Sequence, residues 1–485
     1  MSDRDRLTGL DTSFLHLESG GAHMHVASVA VFRGEAPPYD EFVEHLERRL
    51  HLVPRYRQRL AFVPFEQGRP VWVDDPHFNV RYHLRHTALP APGGPAQLKR
   101  LASRVFSQQL DRSKPLWEIW LVEGVAGDRF ALLAKTHHAL VDGISGVDIL
   151  TVLFDTAAEP APVPGPDRPW VPQPLPSSAQ LLADALLERA TVPGEIARGV
   201  RAALRAPRRV AGAMAQSAAA LGTFMWAGTG DQAPETPLNV KIGPHRRFTW
   251  VPASLAEFKA IKGRLGGSVN DVVLAAVAGA LGAWLREEGV RTHGLELKAM
   301  VPVSVRADAE RGDLGNRVAA MWAPLPVGVT DPVERLRLVR AAMAHLKESG
   351  QAVGAQLLTE LTGFAPPTIM AQASRLQARQ RFFNLVVTNV PGPQFPLYLM
   401  GRRMDAVYPM VPLAANQALG IAIMSYDGEL NFGLNADYDA LPGVERIASL
   451  IQSAIAEFAE AAAAAPPEPG EGAKTPSTRA PAPRP

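Results

Sequence analysis

Length, composition and charge limit what this chain can be. With 485 residues, of which 47% are hydrophobic and 20% charged, it has the composition of an ordinary globular protein and the length of two domains. The net charge of +2 predicts no general attraction to nucleic acid, and the absence of cysteine excludes disulfides, thiolate metal sites and a cysteinyl acyl-enzyme.

In the first part of the chain, apolar patterns predict strands with helices packed against them. Met24 to Phe32 has the partial alternation of a strand, in which we expect His25 to be structural. Helical spacing of apolar residues follows from Tyr39 to Leu52, and Pro95 to Leu110 is also predicted to be helical. Trp117 to Leu121 then alternates as a strand before a glycine-rich turn.

The next stretch places two histidines at the end of a strand. Phe130 to Ala134 is a short apolar run typical of a buried strand, and apolar residues at helical spacing begin at Ile144. Between them lie His137 and His138, followed by Asp142-Gly143. A histidine can take and return a proton near neutral pH, while an aspartate can brace the loop and a glycine tolerates turn geometry. Adjacent histidines at a strand end can also be plain polar loop residues.

Proline dominates from Glu159 to Pro176, which excludes a packed helix or a central strand there. A helix is predicted from Ser177 to Ala190, and a second helical stretch follows it. One face of that second stretch carries four arginines: Arg198, Arg201, Arg205 and Arg208. This basic amphipathic pattern is typical of contact with an anionic membrane or lipid-droplet surface, but a solvated helix packed across two domains explains it equally well.

The second part of the chain, from about Pro237, also mixes strands and helices. Ser268 is a predicted N-cap for a long apolar helix, in whose first turn Asn270 and Asp271 lie. Capping alone could explain both residues. Further strands and helices are predicted at residues 248–251, 254–265, 300–306, 318–327, 331–347, 382–390, 418–424, 430–435 and 442–465. The final residues, 466–485, are rich in proline, alanine and charge and are predicted to be disordered.

The pattern His-His-x-x-x-Asp-Gly on a strand, loop and helix resembles the signature of acyl-CoA-dependent acyltransferases with the chloramphenicol-acetyltransferase-like fold, which condensation domains of peptide synthetases share. Three further blocks resemble those of the bacterial wax ester synthase/diacylglycerol acyltransferase family: the Pro-Leu-Trp block at Leu110–Glu118, the Asn-Asp block at Val269–Leu274, and the Asn-Val-Pro-Gly-Pro block at Asn389–Pro393. The resemblance extends from about Leu7 to about Phe458.

This resemblance implies an α/β fold, layered as in α+β proteins. Two chloramphenicol-acetyltransferase-like subdomains, each a mixed β-sheet flanked by helices, would enclose an active-site tunnel between them. We therefore expect an N-terminal subdomain at residues 1–158, a proline-rich and basic helical linker at 159–236, a C-terminal subdomain at 237–465 and the tail at 466–485.

The resemblance also assigns roles to residues that have ordinary structural explanations. Trp117, otherwise a core residue, belongs to a block that shapes the active-site channel. Asn270 would orient the acyl group or donate a hydrogen bond to the developing oxyanion, with Asp271 beside it as a further substrate-binding or oxyanion candidate. In the wider superfamily an arginine after such a strand pairs with the motif aspartate, which makes Arg306 the predicted partner of Asp142.

We expect direct transfer of the acyl group in a ternary complex. His138 would accept the hydroxyl proton of the bound alcohol, which attacks the thioester of a long-chain acyl-CoA, and would then protonate the leaving thiolate. His137 would support it. Asp142 is expected to organise the loop together with Gly143, since a carboxylate paired with arginine has too low a pKa to act as the base.

The acceptor alcohol is the least determined part of this prediction. Diacylglycerol would give triacylglycerol, and a long-chain fatty alcohol would give a wax ester; the resemblance also allows dual activity, since family members often accept both. We favour diacylglycerol, partly because the Ala, Arg, Gly and Pro content suggests GC-rich coding, as in actinobacteria that store triacylglycerol. A condensation domain acting on carrier-protein substrates and a non-catalytic protein that coats lipid surfaces are the alternatives from other classes.

Acyl-CoA is a substrate here, and no cofactor is expected. His137 and His138 would point to opposite sides of a continuing strand, which argues against a shared metal. The charged start of the chain, Met1 to Arg6, is followed by no apolar signal core. The apolar run from Val272 to Leu285 is too short to span a bilayer and is predicted to be a buried core helix. We expect a cytoplasmic enzyme, peripheral to the inner membrane or lipid droplets, that binds no nucleic acid.

Overall fold

The structure, a computed structural model, describes most of the chain outside the linker and the C-terminal tail. Placed residues are 5–18, 21–141, 152–160, 162–166, 168–187, 232–304, 318–348 and 381–465. They form two six-stranded sheets, a small two-stranded sheet and the helices packed on them.

The first half supplies six strands and six α-helices among the described residues, besides three short 3-10 helices. The strands are β1 (His25–Arg33), β2 (Gln58–Ala61), β3 (Val71–Asp74), β4 (Leu84–Ala88), β5 (Trp117–Val125) and β6 (Arg129–His137). The helices are α1 (Gly9–Leu17), α2 (Tyr39–Glu47), α3 (Val80–His83), α4 (Pro95–Ser107), α5 (His138–Val141) and α6 (Ser178–Leu187).

The second half supplies eight strands and four helices in its described residues. The strands are β7 (Arg246–Ser254), β8 (Leu297–Ser304), β9 (Val318–Leu325), β10 (Leu385–Pro391), β11 (Tyr398–Leu399), β12 (Arg402–Met410), β13 (Leu419–Tyr426) and β14 (Glu429–Asp437). The helices are α7 (Leu255–Leu265), α8 (Val269–Glu287), α9 (Pro332–Glu348) and α10 (Val444–Ala464).

Strand β6 lies inside the first sheet, whose order is β11-β12-β1-β6-β5-β4. It is buried along almost its whole length because both faces of the sheet are covered. Apolar residues of α4 pack on one face, and the larger cluster that includes Trp117 packs on the other. His25 lies opposite His137 in the β1–β6 pairing, and its Nε2 donates to Phe106 O at 2.9 Å. His25 is thus buried in the core, and its structural role stays a prediction.

The second sheet has the order β7-β14-β13-β10-β8-β9. Strand β10 runs parallel to β13 and β8, whereas the other pairs are antiparallel, so the sheet is mixed as expected. Helix α8 begins at a reciprocal cap in which the Ser268 hydroxyl accepts from Asp271 N and the Asp271 carboxylate accepts from Ser268 N. The remainder of α8 packs in the core of this half.

The two sheets are connected by a crossover that the sequence did not indicate. Strands β11 and β12 come from the second half of the chain but belong to the first sheet, where β12 pairs antiparallel with β1 from Ala27–Met410 to Phe32–Met404. The predicted boundary at residue 237 therefore does not assign each half of the chain to its own sheet, because two strands from the second half belong to the first sheet. Much of the predicted basic linker, including its four arginines, and the predicted tail lie outside the described residues.

Helices α8 and α10 are long and apolar enough to cross a membrane by length and composition alone. Their apolar windows are 72% and 44% buried in the protein, and both helices contribute to the core of the second half. The core helix of a globular protein passes the same test. The expectation that residues 272–285 form a buried core helix is confirmed.

Candidate active site

The two histidines of the motif lie at the junction between β6 and α5. His137 ends the strand, with its backbone N–H donating to Leu116 O at 2.9 Å, and His138 starts the helix, with its N–H donating to Met24 O at 2.8 Å. Hydrogen bonds to two neighbouring segments thus hold the backbone of this turn. They orient the two side chains before any substrate binds.

The half-buried ring of His138 stacks on Phe14. The two ring centroids are 4.0 Å apart and the planes are inclined by 30°. Phe14 comes from α1 and packs on a small apolar cluster to which both halves of the chain contribute, with Met24 from the first half and Leu413 from the second among its members. The ring of His138 is therefore held close to the place where the two halves meet, which is where the resemblance locates the active-site tunnel.

His137 has a different environment from its neighbour. Its side chain is only 1% exposed, its Nδ1 accepts a hydrogen bond from Ala139 N at 3.1 Å, and its Nε2 lies 3.7 Å from Glu18 Oε1. Because Nδ1 is an acceptor, the ring proton is on Nε2 and faces the carboxylate. Burial lowers the pKa of His137 to about 4, against which the Glu18 charge acts only in part. His137 is consequently neutral near pH 7, as suits a residue that supports the loop.

Glu18 is a polar partner of this site that sequence reasoning missed. Its buried carboxylate accepts from Met24 N at 2.9 Å and from Arg112 Nε at 3.0 Å. Burial acts to raise the pKa of Glu18, but attraction to the His137 ring when that ring is protonated, the Arg112 charge and the Met24 N–H outweigh it, and the net pKa lies below the usual value. Only the short block Leu110–Glu118 pointed towards this region, and nothing local marked Glu18 itself.

Trp117 has the contacts of a core residue. Its Nε1 donates to Tyr56 O at 2.8 Å, and its ring stacks on His83 with centroids 4.6 Å apart. His83 in turn donates from Nδ1 to Trp117 O at 2.8 Å. In the sheet Trp117 pairs with Thr136, the residue before His137. Paired residues share a face and consecutive residues alternate, so Trp117 and His137 lie on opposite faces of the sheet. A part in shaping the channel remains a prediction.

The Asn-Asp and Asn-Val-Pro-Gly-Pro blocks meet at the end of the second sheet. Asn389 at the end of β10 donates from Nδ2 to Asn270 Oδ1 at 3.3 Å. This bond occupies the carbonyl of Asn270 and leaves the Asn270 amide as a donor. Asp271 instead has its Oδ2 engaged by the backbone N–H and the hydroxyl of Ser268, so its side chain caps α8. Its part in binding the substrate or the oxyanion stays a prediction.

Asp142, Gly143 and Arg306 lie outside the described residues, so the predicted Asp142–Arg306 pair stays a prediction. Within the parts of the chain that the structure describes, no cluster of three or more His, Asp or Glu side chains is arranged to hold a metal ion.

Comparisons with known proteins identify the family. The model of the wax ester synthase/diacylglycerol acyltransferase catalytic domain matches residues 7–273, and the model of the C-terminal domain of the same proteins matches residues 314–459. A Mycobacterium tuberculosis protein with the provisional name diacylglycerol O-acyltransferase is 35% identical over 94% of this chain and 90% of its own length. A second one from the same species, also provisionally named, is 33% identical over 94% of this chain and 96% of its own.

Solved structures agree with this family and with its fold. A wax ester synthase/diacylglycerol acyltransferase from Marinobacter aquaeolei VT8 superposes with a TM-score of 0.65 at 28% identity, covering 94% of this chain and all of that one. The first condensation domain of the calcium-dependent antibiotic synthetase shares only the fold, with a TM-score of 0.57 at 16% identity over 95% of this chain and 97% of that one. The predicted fold class is confirmed. The chain belongs to the wax ester synthase/diacylglycerol acyltransferase family and is an acyltransferase.

Proposed function

We propose that this enzyme transfers a long-chain acyl group from acyl-CoA to the hydroxyl of diacylglycerol and so makes triacylglycerol. The observation that supports the chemistry best is the contrast between the two motif histidines: His137 is buried and neutral, whereas His138 lies half-buried at the meeting of the two halves. The names of the mycobacterial relatives favour diacylglycerol as the acceptor.

In the proposed mechanism the acceptor and the acyl-CoA are bound together. The hydroxyl oxygen attacks the thioester carbonyl carbon while the His138 imidazole takes the hydroxyl proton. The tetrahedral intermediate then collapses, the carbon–sulfur bond breaks, and the imidazolium returns the proton to the thiolate of coenzyme A. General-base catalysis of this kind contributes roughly 10²–10⁴-fold, and holding the two substrates together supplies much of the rest.

Other residues would act around this proton transfer. The Glu18–His137 contact would keep the turn before His138 in shape, and Asp142 with Arg306 would brace the loop that follows. The Asn270 amide, with its carbonyl engaged by Asn389, would orient the acyl group or donate to the oxyanion. Because the acceptor dissolves in lipid rather than in water, we further propose a cytoplasmic protein that works at the surface of the inner membrane or of lipid droplets.

The test is a competition between acceptors. Purified enzyme and its His138→Ala variant are incubated with labelled palmitoyl-CoA and an equimolar mixture of diolein and hexadecanol, and the labelled products are separated by class. Label in triacylglycerol that disappears in the variant supports both the mechanism and the acceptor. Label mainly in wax ester would keep the mechanism and replace the acceptor.

Two other results would reject the chemistry. No ester from folded enzyme, with turnover only of an acyl carrier protein, would indicate a condensation activity. No turnover with either acyl donor would indicate that the protein coats lipid surfaces without catalysing transfer.

A further inference from the structure

A small hairpin and a helix of the first half expose a group of apolar side chains at the same end. Strands β2 and β3 form a two-stranded sheet, beside which Arg6 makes a single bridge to Val71. Their connection, residues 62–70, carries Phe62 at 52% exposure and Phe65 at 82%. Helix α6 ends in Leu186 at 52% and Leu187 at 56% exposure. We call these four residues the tip patch.

The packing of α6 on the hairpin brings the four residues to one end. Before the helix starts, Gln173 N donates to Asp74 Oδ2 at the far end of β3. The helix then packs along the hairpin through a shared apolar cluster, and by Ala185 it has reached the loop. A β-carbon at Gly68 would lie 2.9 Å from Ala185 Cβ and 3.2 Å from Val63 Cγ2. The C-terminal end of α6 therefore adjoins the connection between the strands.

The connection holds its most exposed phenylalanine in an unusual backbone conformation. Phe65 and Glu66 have φ angles of 58° and 54°, in the left-handed region that side chains other than glycine rarely adopt. Such a conformation costs free energy and persists only when the surrounding structure imposes it. Here it keeps a large aromatic ring almost entirely in water, although burial of that ring would be favourable. Exposed apolar surfaces of this kind are typical of sites that bind another protein or a membrane.

Shape and charge indicate which partner fits. The tip patch is a protrusion, so a rigid protein would need a matching pocket, whereas a fluid lipid layer closes around any inserted side chain. The charged groups in and beside the loop and the end of α6 include two cations, Arg6 and Arg69, and two anions, Glu66 and Asp184. Their formal charges cancel, which matches a headgroup that itself carries both signs and gives no net attraction to an anionic surface.

We propose that the tip patch docks the enzyme on a zwitterionic phospholipid layer that contains diacylglycerol. The inference rests on the proposed function for its reason, since an acceptor confined to lipid must be collected from that phase. Phe62 and Phe65 insert among the acyl chains, Leu186 and Leu187 widen the contact, and the mixed charges at the base face the headgroups. Insertion of apolar groups, and not attraction between net charges, supplies the affinity.

Vesicle flotation tests this directly. The wild type and the Phe62→Ser/Phe65→Ser variant are mixed with phosphatidylcholine vesicles that contain a small fraction of diolein. Val171→Ser is the matched control, because Val171 is 76% exposed but precedes Gln173, at the opposite end of the hairpin. We expect the double variant to lose at least about tenfold in the ratio of bound to free protein, and the control to keep it. High salt or added anionic lipid should change binding by no more than about twofold.

Several outcomes overturn the proposal. Wild-type protein that does not float, or a double variant that floats as well as the wild type, contradicts it. Binding that requires anionic lipid and is lost in salt would place the contact on a basic surface instead. Self-association of the wild type that the double variant abolishes, without vesicle binding, would make the tip patch an interface between two copies of this chain. Thermal unfolding shows that the variants are folded.

Activity assays separate this proposal from the proposed function. With a short, water-soluble alcohol as acceptor and no vesicles, the double variant should form ester as fast as the wild type, while with diolein in vesicles it should be several-fold slower. A wild type that floats but makes no ester with any acceptor would reject the proposed function and keep the docking surface. A wild type that makes ester but does not float would keep the proposed function and reject the docking surface.

Discussion

His137 Nε2 lies 3.7 Å from Glu18 Oε1, with both side chains almost fully buried. Glu18 is in turn bound to Arg112, which also donates from Nη2 to Leu15 O at 2.9 Å. The turn that leads to His138 is thus tied to α1 and to the start of β5 through a single carboxylate. Glu18 thus adds a side-chain contact to the backbone bonds that already hold this turn.

Glu18→Ala should weaken both the fold and the reaction. The variant removes the acceptor of Met24 N and of Arg112 Nε and the carboxylate that faces the His137 ring proton, while Arg112 keeps its bond to Leu15 O. Since Arg112 is one-third exposed, we expect a loss of about 1–3 kcal/mol in the free energy of unfolding. Urea denaturation measures this. Glu18→Gln keeps an acceptor of the same shape and should lose less. Equal stability of wild type and alanine variant would show that the carboxylate contributes nothing.

Replacement of His138 should mainly lower the rate, whereas replacement of His137 should mainly lower the stability. His138→Ala should lower kcat roughly 10²–10⁴-fold with little change in stability, because it removes the proposed base. His137→Ala opens a cavity at a side chain that is almost fully buried and should lower the melting temperature. Coenzyme A release can be followed with a thiol reagent, since the chain contains no cysteine that would react. A fully active His138→Ala would contradict the assignment.

Stability should fall as the solution becomes acidic. Burial lowers the pKa values of His83 and His137 from 6.5 to about 4 in the folded protein, so the unfolded chain takes up protons first. Above about pH 6.5 both groups are neutral in the folded and the unfolded chain, and they do not reduce the free energy of unfolding. Between about pH 6.5 and pH 4 each group lowers the free energy of unfolding by about 1.4 kcal/mol for every pH unit of acidification. Urea titrations at several pH values measure the slope. A His83→Gln variant with an unchanged slope would exclude His83 as a contributor.

Asn270 and Asn389 should act as a pair. If the bond from Asn389 orients the Asn270 amide, the single alanine variants should each lower kcat, and the double variant should do little more than the worse of the two. A coupling free energy of about 0.5–3 kcal/mol would appear in the double-mutant cycle. Asp271→Ala provides the contrast, with about 1 kcal/mol of stability lost through the cap. Additive effects of the two asparagines would show that their contact is incidental.

Gly433→Ala should damage the contact between the sheets. A β-carbon at Gly433 of β14 would lie 1.7 Å from Pro409 O of β12, which is backbone and has little freedom to move. We expect about 1–3 kcal/mol of destabilisation from overpacking, measured by denaturation. Gly428→Ala is a control for the loss of glycine at an uncrowded position, although its positive φ adds some strain of its own. No loss in Gly433→Ala would mean that the two strands separate easily.

Local sequence patterns were enough to predict much of the secondary structure of this protein. The strand before the histidines and the Ser268 cap with Asp271 three residues later follow from short-range rules on periodicity and capping. The four motif blocks, in their order along the chain, identified the family and thereby the fold class. These features are readable because each is determined by residues close together in the chain.

Other features were decided only by the tertiary structure. The Glu18–His137 contact joins residues far apart in sequence, the Asn270–Asn389 bond joins residues 119 apart, and β12 leaves its own half to pair with β1. The tip patch exists only because α6 packs along the β2–β3 hairpin. Such contacts depend on how the sheets and helices are arranged in space, and periodicity, capping and turn rules contain no information about that arrangement. The sequence by itself determined the family and the candidate residues for the chemistry, and the packing of the two halves decided what surrounds them.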